Sequence, residues 1–205
     1  TNFLVEGFYT DLRDVFALRQ LDGTDAFGNA VLERYNGSGA RVAGLNIEAK
    51  AFFSSHFDMQ AGLTLQRSRY KKPEVWSDNP EVAPVKKMFR TPDLYGYLTV
   101  NWEIMRNFKA LFSGTLTGPM TVQHLAGSGT PVDMAVRTPS FFDASLRLNY
   151  TFKIHRHVSL DASVGVSNIF NSYQRDFDKG VGRDSGYIYG PSMPRSLTAG
   201  VSVSI

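Results

Sequence analysis

Val158-Ser159-Leu160-Asp161-Ala162-Ser163-Val164-Gly165-Val166 alternates without a break. Five aliphatic side chains fall on one face, and Ser159, Asp161, Ser163 and Gly165 fall on the other. A period of two is the spacing of a β-strand, whose successive side chains point to opposite faces. The pattern recurs upstream. Phe142, Ala144, Leu146, Leu148, Tyr150 and Phe152 oppose Asp143, Ser145, Arg147, Asn149 and Thr151. Leu94, Leu98, Val100, Trp102 and Ile104 oppose Tyr95, Tyr97, Thr99, Asn101 and Glu103. It returns at the end, where Leu197, Ala199, Val201, Val203 and Ile205 oppose Thr198, Gly200, Ser202 and Ser204.

Extending the period outward predicts strands over roughly 3–18, 36–52, 57–72, 93–105, 107–123, 140–154, 157–173 and 195–205. Their connections alternate in length. Phe53-Ser54-Ser55-His56, Arg106-Asn107 and His155-Arg156-His157 are short, whereas 19–35, 73–92, 124–139 and 174–194 are long and rich in Gly, Pro and charge. Short turns at one end and long loops at the other are the arrangement of an outer-membrane barrel. Several segments exceed the 9–11 residues or so that a tilted strand needs to span a membrane, and most soluble strands run to about 5–6. A soluble sandwich with an aromatic core is the alternative. Phe52, Phe53, Phe57, Trp102, Phe108, Tyr150 and Phe152 gather near the short-turn ends, as an interfacial girdle would. The expected fold is all-β, with about eight antiparallel transmembrane barrel strands.

Composition agrees. Of 205 residues, 42% are hydrophobic and 20% charged, too apolar for a disordered chain. A mean hydropathy of -0.20 suits a wall in which only alternate residues face lipid. No apolar run approaches a transmembrane helix. The first residues show no basic, apolar leader. The chain lacks cysteine, which excludes disulfides, thiolate zinc sites and a cysteine nucleophile. The net charge of +3 comes from scattered basic residues, giving nucleic-acid binding little support.

Several stretches together resemble the C-terminal part of TonB-dependent outer-membrane receptors. They are Val166-Ser167-Asn168-Ile169-Phe170-Asn171 and then, after a long loop, Tyr187-Ile188-Tyr189-Gly190-Pro191-Ser192-Met193-Pro194-Arg195. Phe8-Tyr9-Thr10-Asp11-Leu12-Arg13-Asp14, the strand beginning near Tyr35 and Asn36, and Arg90-Thr91-Pro92-Asp93 also look similar. The final Thr198 to Ile205 resembles the terminal signal of barrel assembly, with Ile205 in place of the usual aromatic. Each stretch alone is weak, and their order and spacing carry the likeness. The resemblance implies that residues 1–205 are a C-terminal segment of a 22-stranded barrel, with the plug domain elsewhere. It implies a place in the bacterial outer membrane, in contact with lipid and with the remaining barrel strands. It further implies energy from the TonB complex through the N-terminal part, a possible surface lipoprotein partner, and import of a scarce bulky nutrient such as an iron-siderophore, haem or cobalamin.

No catalytic residues and no bound cofactor are expected. There is no Gly-x-Ser-x-Gly elbow and no His-Glu-x-x-His. Asp133, Asp184 and His124 could form a rim set in principle, but their spacing does not favour it. Ligand contacts are expected from the outer loops, above all Arg175, Asp176, Asp178, Arg183, Asp184, Tyr187 and Tyr189, with Gln174 and Lys179 among them. Arginine and tyrosine suit an anionic or aromatic chelate through charge-assisted bonds and stacking. A solvated, self-paired loop that orders the rim is the plainer reading of the same residues. Asp176-Phe177-Asp178-Lys179-Gly180 opens like a calcium loop but places Tyr187 where the closing glutamate belongs, so no metal site is expected. His124 could meet haem iron or be an ordinary loop residue. His56, His155 and His157 lie in the short turns. Pro92, Pro139 and Pro194 should mark strand starts, and Asn168 a bulge or the strand's emergence from lipid. The rival to the receptor segment is a complete eight-stranded outer-membrane barrel with a structural, adhesive or enzymatic role.

Overall fold

The computed structural model describes residues 1–28, 30–156 and 158–204, with the backbone alone at 17–22, 24, 30 and 32. His157 and Ile205 therefore lie outside the described residues. The chain is all-β. Among the described residues no helix is long and apolar enough to cross a membrane.

Eight long strands form one antiparallel meander: β1 (Asn2–Leu12), β4 (Ala40–Ser54), β5 (Phe57–Glu74), β7 (Leu94–Met105), β8 (Phe108–Thr117), β11 (Phe141–His155), β12 (Val158–Ser167) and β13 (Ser196–Ser204). A short β6 (Val85–Lys87) adds to β5. Two further hairpins stand apart in the long connections. They are β2 (Phe16–Thr24) with β3 (Ala30–Asn36), and β9 (Thr121–His124) with β10 (Met134–Arg137).

Register follows the alternation, because opposed residues share a face. Val5, Ile47, Leu63, Gly96, Leu116 and Phe142 form one continuous apolar row, each opposite the next. Gly200 opposes Ser163, Ser163 opposes Asn149, Asn149 opposes Lys109, and Lys109 opposes Glu103. That polar row starts in mid-strand on β13 and ends beside the short turn after Met105 on β7. Such a stagger is the strand tilt of a barrel wall. A membrane barrel turns its apolar face to lipid and its polar face to the lumen, so the second row is luminal. Polar side chains bond across strands on that face. Asn46 donates to Glu6 at 3.1 Å, and Thr64 donates to Asn46 at 2.9 Å. At the short-turn end Phe53, Phe57 and Trp102 make contacts of 5.4 and 6.2 Å between ring centroids, and Phe108, Tyr150 and Phe152 make contacts of 6.1 and 4.5 Å. This is the expected girdle.

The structure corrects four strand boundaries. The segment expected over 3–18 ends at Leu12, where Asp14 takes a left-handed φ of 51° and the chain turns into the β2–β3 hairpin. The second strand starts at Ala40 and not at residue 36, because residues 30–36 belong to that hairpin. The strand expected to reach residue 123 leaves the wall at Thr117, and 121–124 pairs with β10 instead. The strand expected to reach residue 173 stops at Ser167, since Asn168 adopts a φ of 50°. Pro92, Pro139 and Pro194 each stand two residues before β7, β11 and β13. The packed core of Met120, Val122 and Tyr187, with Val136 and Tyr189 against it, lies in the long loops rather than in the wall.

Candidate ligand site at the loop end

The β12–β13 connection departs and returns through one neck. The Asn168 side chain donates to the carbonyls of Ser172 and Met193 at 3.2 and 2.9 Å and accepts from the Ser172 N–H at 2.8 Å. Asn171, also left-handed with φ 54°, accepts from the Arg195 N–H at 3.0 Å. Asparagine is among the few side chains that tolerate this backbone region. Two of the stretches that carry the sequence resemblance, 166–171 and 187–195, thus meet in space.

Above the neck the loop folds on Gln174, which is 1% exposed. Its amide donates to the Tyr187 carbonyl at 3.0 Å and accepts from the Tyr189 N–H at 2.9 Å. Tyr187 and Tyr189 both donate their hydroxyls to Asp176, at 2.9 and 2.6 Å. The Tyr187 ring also stacks on His124 at 3.7 Å and 6°. His124 in turn bonds Asp178 through Nε2, at 3.0 Å. Asp178 accepts from the Asp184 N–H at 3.1 Å, and Asp184 accepts from the N–H groups of Leu125 and Gly186, both at 2.8 Å. Docking on the β9–β10 hairpin is close. A Cβ at Gly127 would sit 2.3 Å from the Gly182 carbonyl oxygen, and one at Gly129 would overlap the Asp178 carboxylate. Arg90 ties a third loop in, donating to the carbonyls of Ile188, at 2.7 Å, and Gly186.

Six of the eight residues expected to contact ligand are therefore drawn together: His124, Asp176, Asp178, Asp184, Tyr187 and Tyr189. The structure pairs them chiefly with one another and with backbone. Arg175 and Arg183 stand outside that network and exposed, as does Lys179. Arg175 lies over the Tyr173 ring at 5.2 Å, and Arg183 donates to the Gly180 carbonyl at 3.3 Å. Asp133 does not join His124 and Asp184 in a rim set. It accepts from Ser77 and from the Ala126 N–H, at 2.6 and 2.7 Å. Among the described residues no three His, Asp or Glu side chains gather to hold a metal ion.

Desolvation pushes the Asp176 carboxyl up, but the hydroxyls of Tyr189 and Tyr187 outweigh it and hold the group below the usual value. Asp178 is lowered in the same way, with burial opposing the Asp184 N–H and His124. Tyr187 is pushed up to about 12 by burial and then by its bond to Asp176, and Tyr189 is raised for the same reasons. A carboxylate with a depressed folded pKa contributes stability above its unfolded value, 3.8, and loses it as pH falls through the folded pKa. A tyrosine with a raised pKa contributes below its unfolded value of 10.0 and loses this as pH climbs through about 12. The loop is expected to stay closed from about pH 4 to about pH 10 and to open beyond both limits. Hydrogen exchange of residues 174–190 across pH, after correction for the intrinsic rate, checks this. Protection unchanged at pH 2 sinks the assignment.

A cavity of about 620 Å³ that the sequence did not suggest lies among the loops, lined in part by Tyr70, Glu74, Trp76, Phe89, Gln123 and Asp133. Trp76 packs edge-on to Phe89 at 5.3 Å, and its buried indole N–H has no hydrogen-bond partner among the described residues. Loop aromatics scattered among Pro and charge carry no period, so no sequence signal pointed there.

No protein-family model and no curated protein matches the chain. Solved structures do. The ferric-catecholate import receptor Fiu of E. coli K12 is 18% identical over 98% of this chain, with a TM-score of 0.64. The copper transporter OprC is 17% identical over 98%, at 0.62, and the ferric enterobactin receptor PfeA of Pseudomonas aeruginosa is 16% identical over 98%, at 0.59. The chain spans only 25% of the first and 28% of the other two. The fold is that of the barrel part of TonB-dependent receptors.

Proposed function

We propose that this chain is a C-terminal wall segment of a TonB-dependent outer-membrane receptor that imports a bulky metal chelate, and that it has no enzymatic role. The observation that carries this reading is the open sheet. Its order begins at β1 and ends at β13, and among the described residues these two share no ladder. A complete eight-stranded barrel would pair them. In lipid an unpaired strand edge leaves N–H and C=O groups without partners, which costs several kcal/mol for each group. Both edges therefore call for further strands of the same receptor, around a lumen wide enough for a plug. The luminal face supports this, because Gly62, Gly165, Gly200 and its serines line a wide space better than they fill a narrow one.

The proteins of like fold import ferric catecholates, copper or ferric enterobactin, according to their names, and a ferric chelate of that kind carries negative charge. Arg175 and Arg183, with Lys179, are exposed cations of the β12–β13 connection open to it, and the network of Asp176, Asp178, Asp184, Tyr187, Tyr189 and His124 holds them on a fixed platform. The aromatic cavity at Trp76 offers stacking nearby. TonB, the plug and any surface lipoprotein would act through other parts of the receptor.

The test is genetic and physical together. In the native outer membrane the denatured polypeptide carrying this sequence should have several times the 22.8 kDa of these 205 residues. Deleting its gene should abolish growth or uptake on one of three separate probes: ferric enterobactin, haem or cyanocobalamin. Restoring the gene should rescue this only where TonB is intact. A polypeptide near 22.8 kDa, with uptake of all three probes unchanged, overturns the proposal.

A further inference from the structure

Trp76, in the connection between β5 and β7, is a wall of two cavities. The first is the space of about 620 Å³ that Phe16, Tyr70 and Phe89 also line. The second, of about 490 Å³, lies against Pro84, Val85, Val132 and Met134. Asp133 lines both as well. Its carboxylate is set there by Ser77 and by the Ala126 N–H.

The charge of these walls is one-sided. Glu74, Asp78, Glu81 and Asp133 line the cavities, and among the described residues no lysine, arginine or histidine does. Glu74 accepts from the Tyr35 hydroxyl at 2.7 Å. The carboxylates of Asp78 and Glu81 have no partner among the described residues. Arg34 stands over the Phe16 ring at 6.0 Å without lining the cavity. Like charges gathered at one site repel, and a positive ligand would relieve this. Aromatic faces attract a cation too. At the shared wall the buried Trp76 N–H has no partner among the described residues, where a buried indole N–H usually has one. The site thus offers negative charge, ring faces and an unspent donor. Its complement carries a positive charge, an acceptor oxygen and an apolar body.

We propose that these adjoining cavities bind one organic ammonium ion bearing a hydroxyl and an apolar body. The ammonium lies among the carboxylates at the face of Trp76, the hydroxyl accepts from the indole N–H, and the body rests on Val85, Val132 and Met134. This charge preference is opposite in sign to that of the exposed Arg175 and Arg183.

The test uses the full-length protein in amphipol, with binding read by isothermal titration calorimetry. Three probes share one benzyl body: phenylalaninol, a cation at neutral pH; its neutral N-acetyl derivative; and phenyllactate, an anion. Phenylalaninol should bind about tenfold tighter than the N-acetyl compound, and phenyllactate should give no binding heat. Trp76→Leu should weaken phenylalaninol about tenfold through loss of the ring face, while Trp76→Phe, which keeps a ring, should lose less. Glu74→Gln with Asp78→Asn should weaken it about fivefold, the effect of removing two exposed ion pairs, and leave the N-acetyl compound unchanged. Glu74→Gln keeps an acceptor for Tyr35, so this variant separates lost charge from a disturbed loop. Equal binding of the three probes overturns the site, as does parent-like binding of phenylalaninol by both Trp76→Leu and the paired carboxylate variant. A parent with normal heat-modifiable mobility that binds no phenylalaninol overturns it as well.

Discussion

Gly39→Val is expected to be the most damaging single substitution in the wall. Gly39 stands immediately before β4 with a φ of 80°, where a branched side chain is strained. A Cβ there would lie 2.4 Å from the Leu12 carbonyl oxygen, a backbone atom with no room to yield. The Gly39 carbonyl also accepts from the Lys71 N–H at 3.0 Å, so shifting it disturbs β5 as well as β1. The left-handed residue alone would cost about 1–3 kcal/mol, and the clash adds to that. The full-length protein should show a clearly lower urea midpoint in detergent and a smaller heat-modifiable fraction. Gly23→Val is the control: its φ is also positive, at 97°, but its Cβ would meet nothing within 4 Å. Equal losses in the two variants would mean that close approach to Leu12 is not what Gly39 serves.

Gln174→Leu is expected to have the next largest effect, confined to the loop. Its volume is nearly conserved, so the buried site stays filled. The Tyr187 carbonyl and the Tyr189 N–H both lose their side-chain partner, and an unsatisfied buried polar group costs about 1–3 kcal/mol. Two such groups in one turn should open the segment that holds Asp176 and His124 in place. Limited proteolysis should then cut within 174–190 many times faster, while heat-modifiable mobility stays normal. A variant as resistant as its parent would show that the loop does not depend on this side chain.

The wall was legible in the sequence because lipid and lumen impose opposite demands on neighbouring residues. Val158 to Val166 needs no tertiary information to be read as a strand. Strand ends were less legible. Phe16 and its neighbours continue an alternation past Leu12, but in water that pattern builds a free hairpin and not a wall. Asp14 and Asn168 stop their strands through a backbone conformation that no periodicity encodes. The loop residues were named from their chemistry alone. That Asp176 meets two tyrosine hydroxyls, or that His124 lies on Tyr187, depends on two long connections folding together. Such contacts between distant parts of the chain leave no periodic trace. The cavity at Trp76 was missed for the same reason.

On the import reading proposed above, the asparagine neck bears on how such a receptor would change its cargo. Closing a long excursion has an entropic cost that grows only slowly with its length. Asn168 and Asn171 fix where the excursion leaves and rejoins the wall, through bonds to Ser172, Met193 and Arg195. Residues beyond that clasp can be exchanged, lengthened or shortened without altering which residue of β12 faces which residue of β13. The wall is thereby a socket with an interchangeable head, and selection can act on the head while the socket keeps its register.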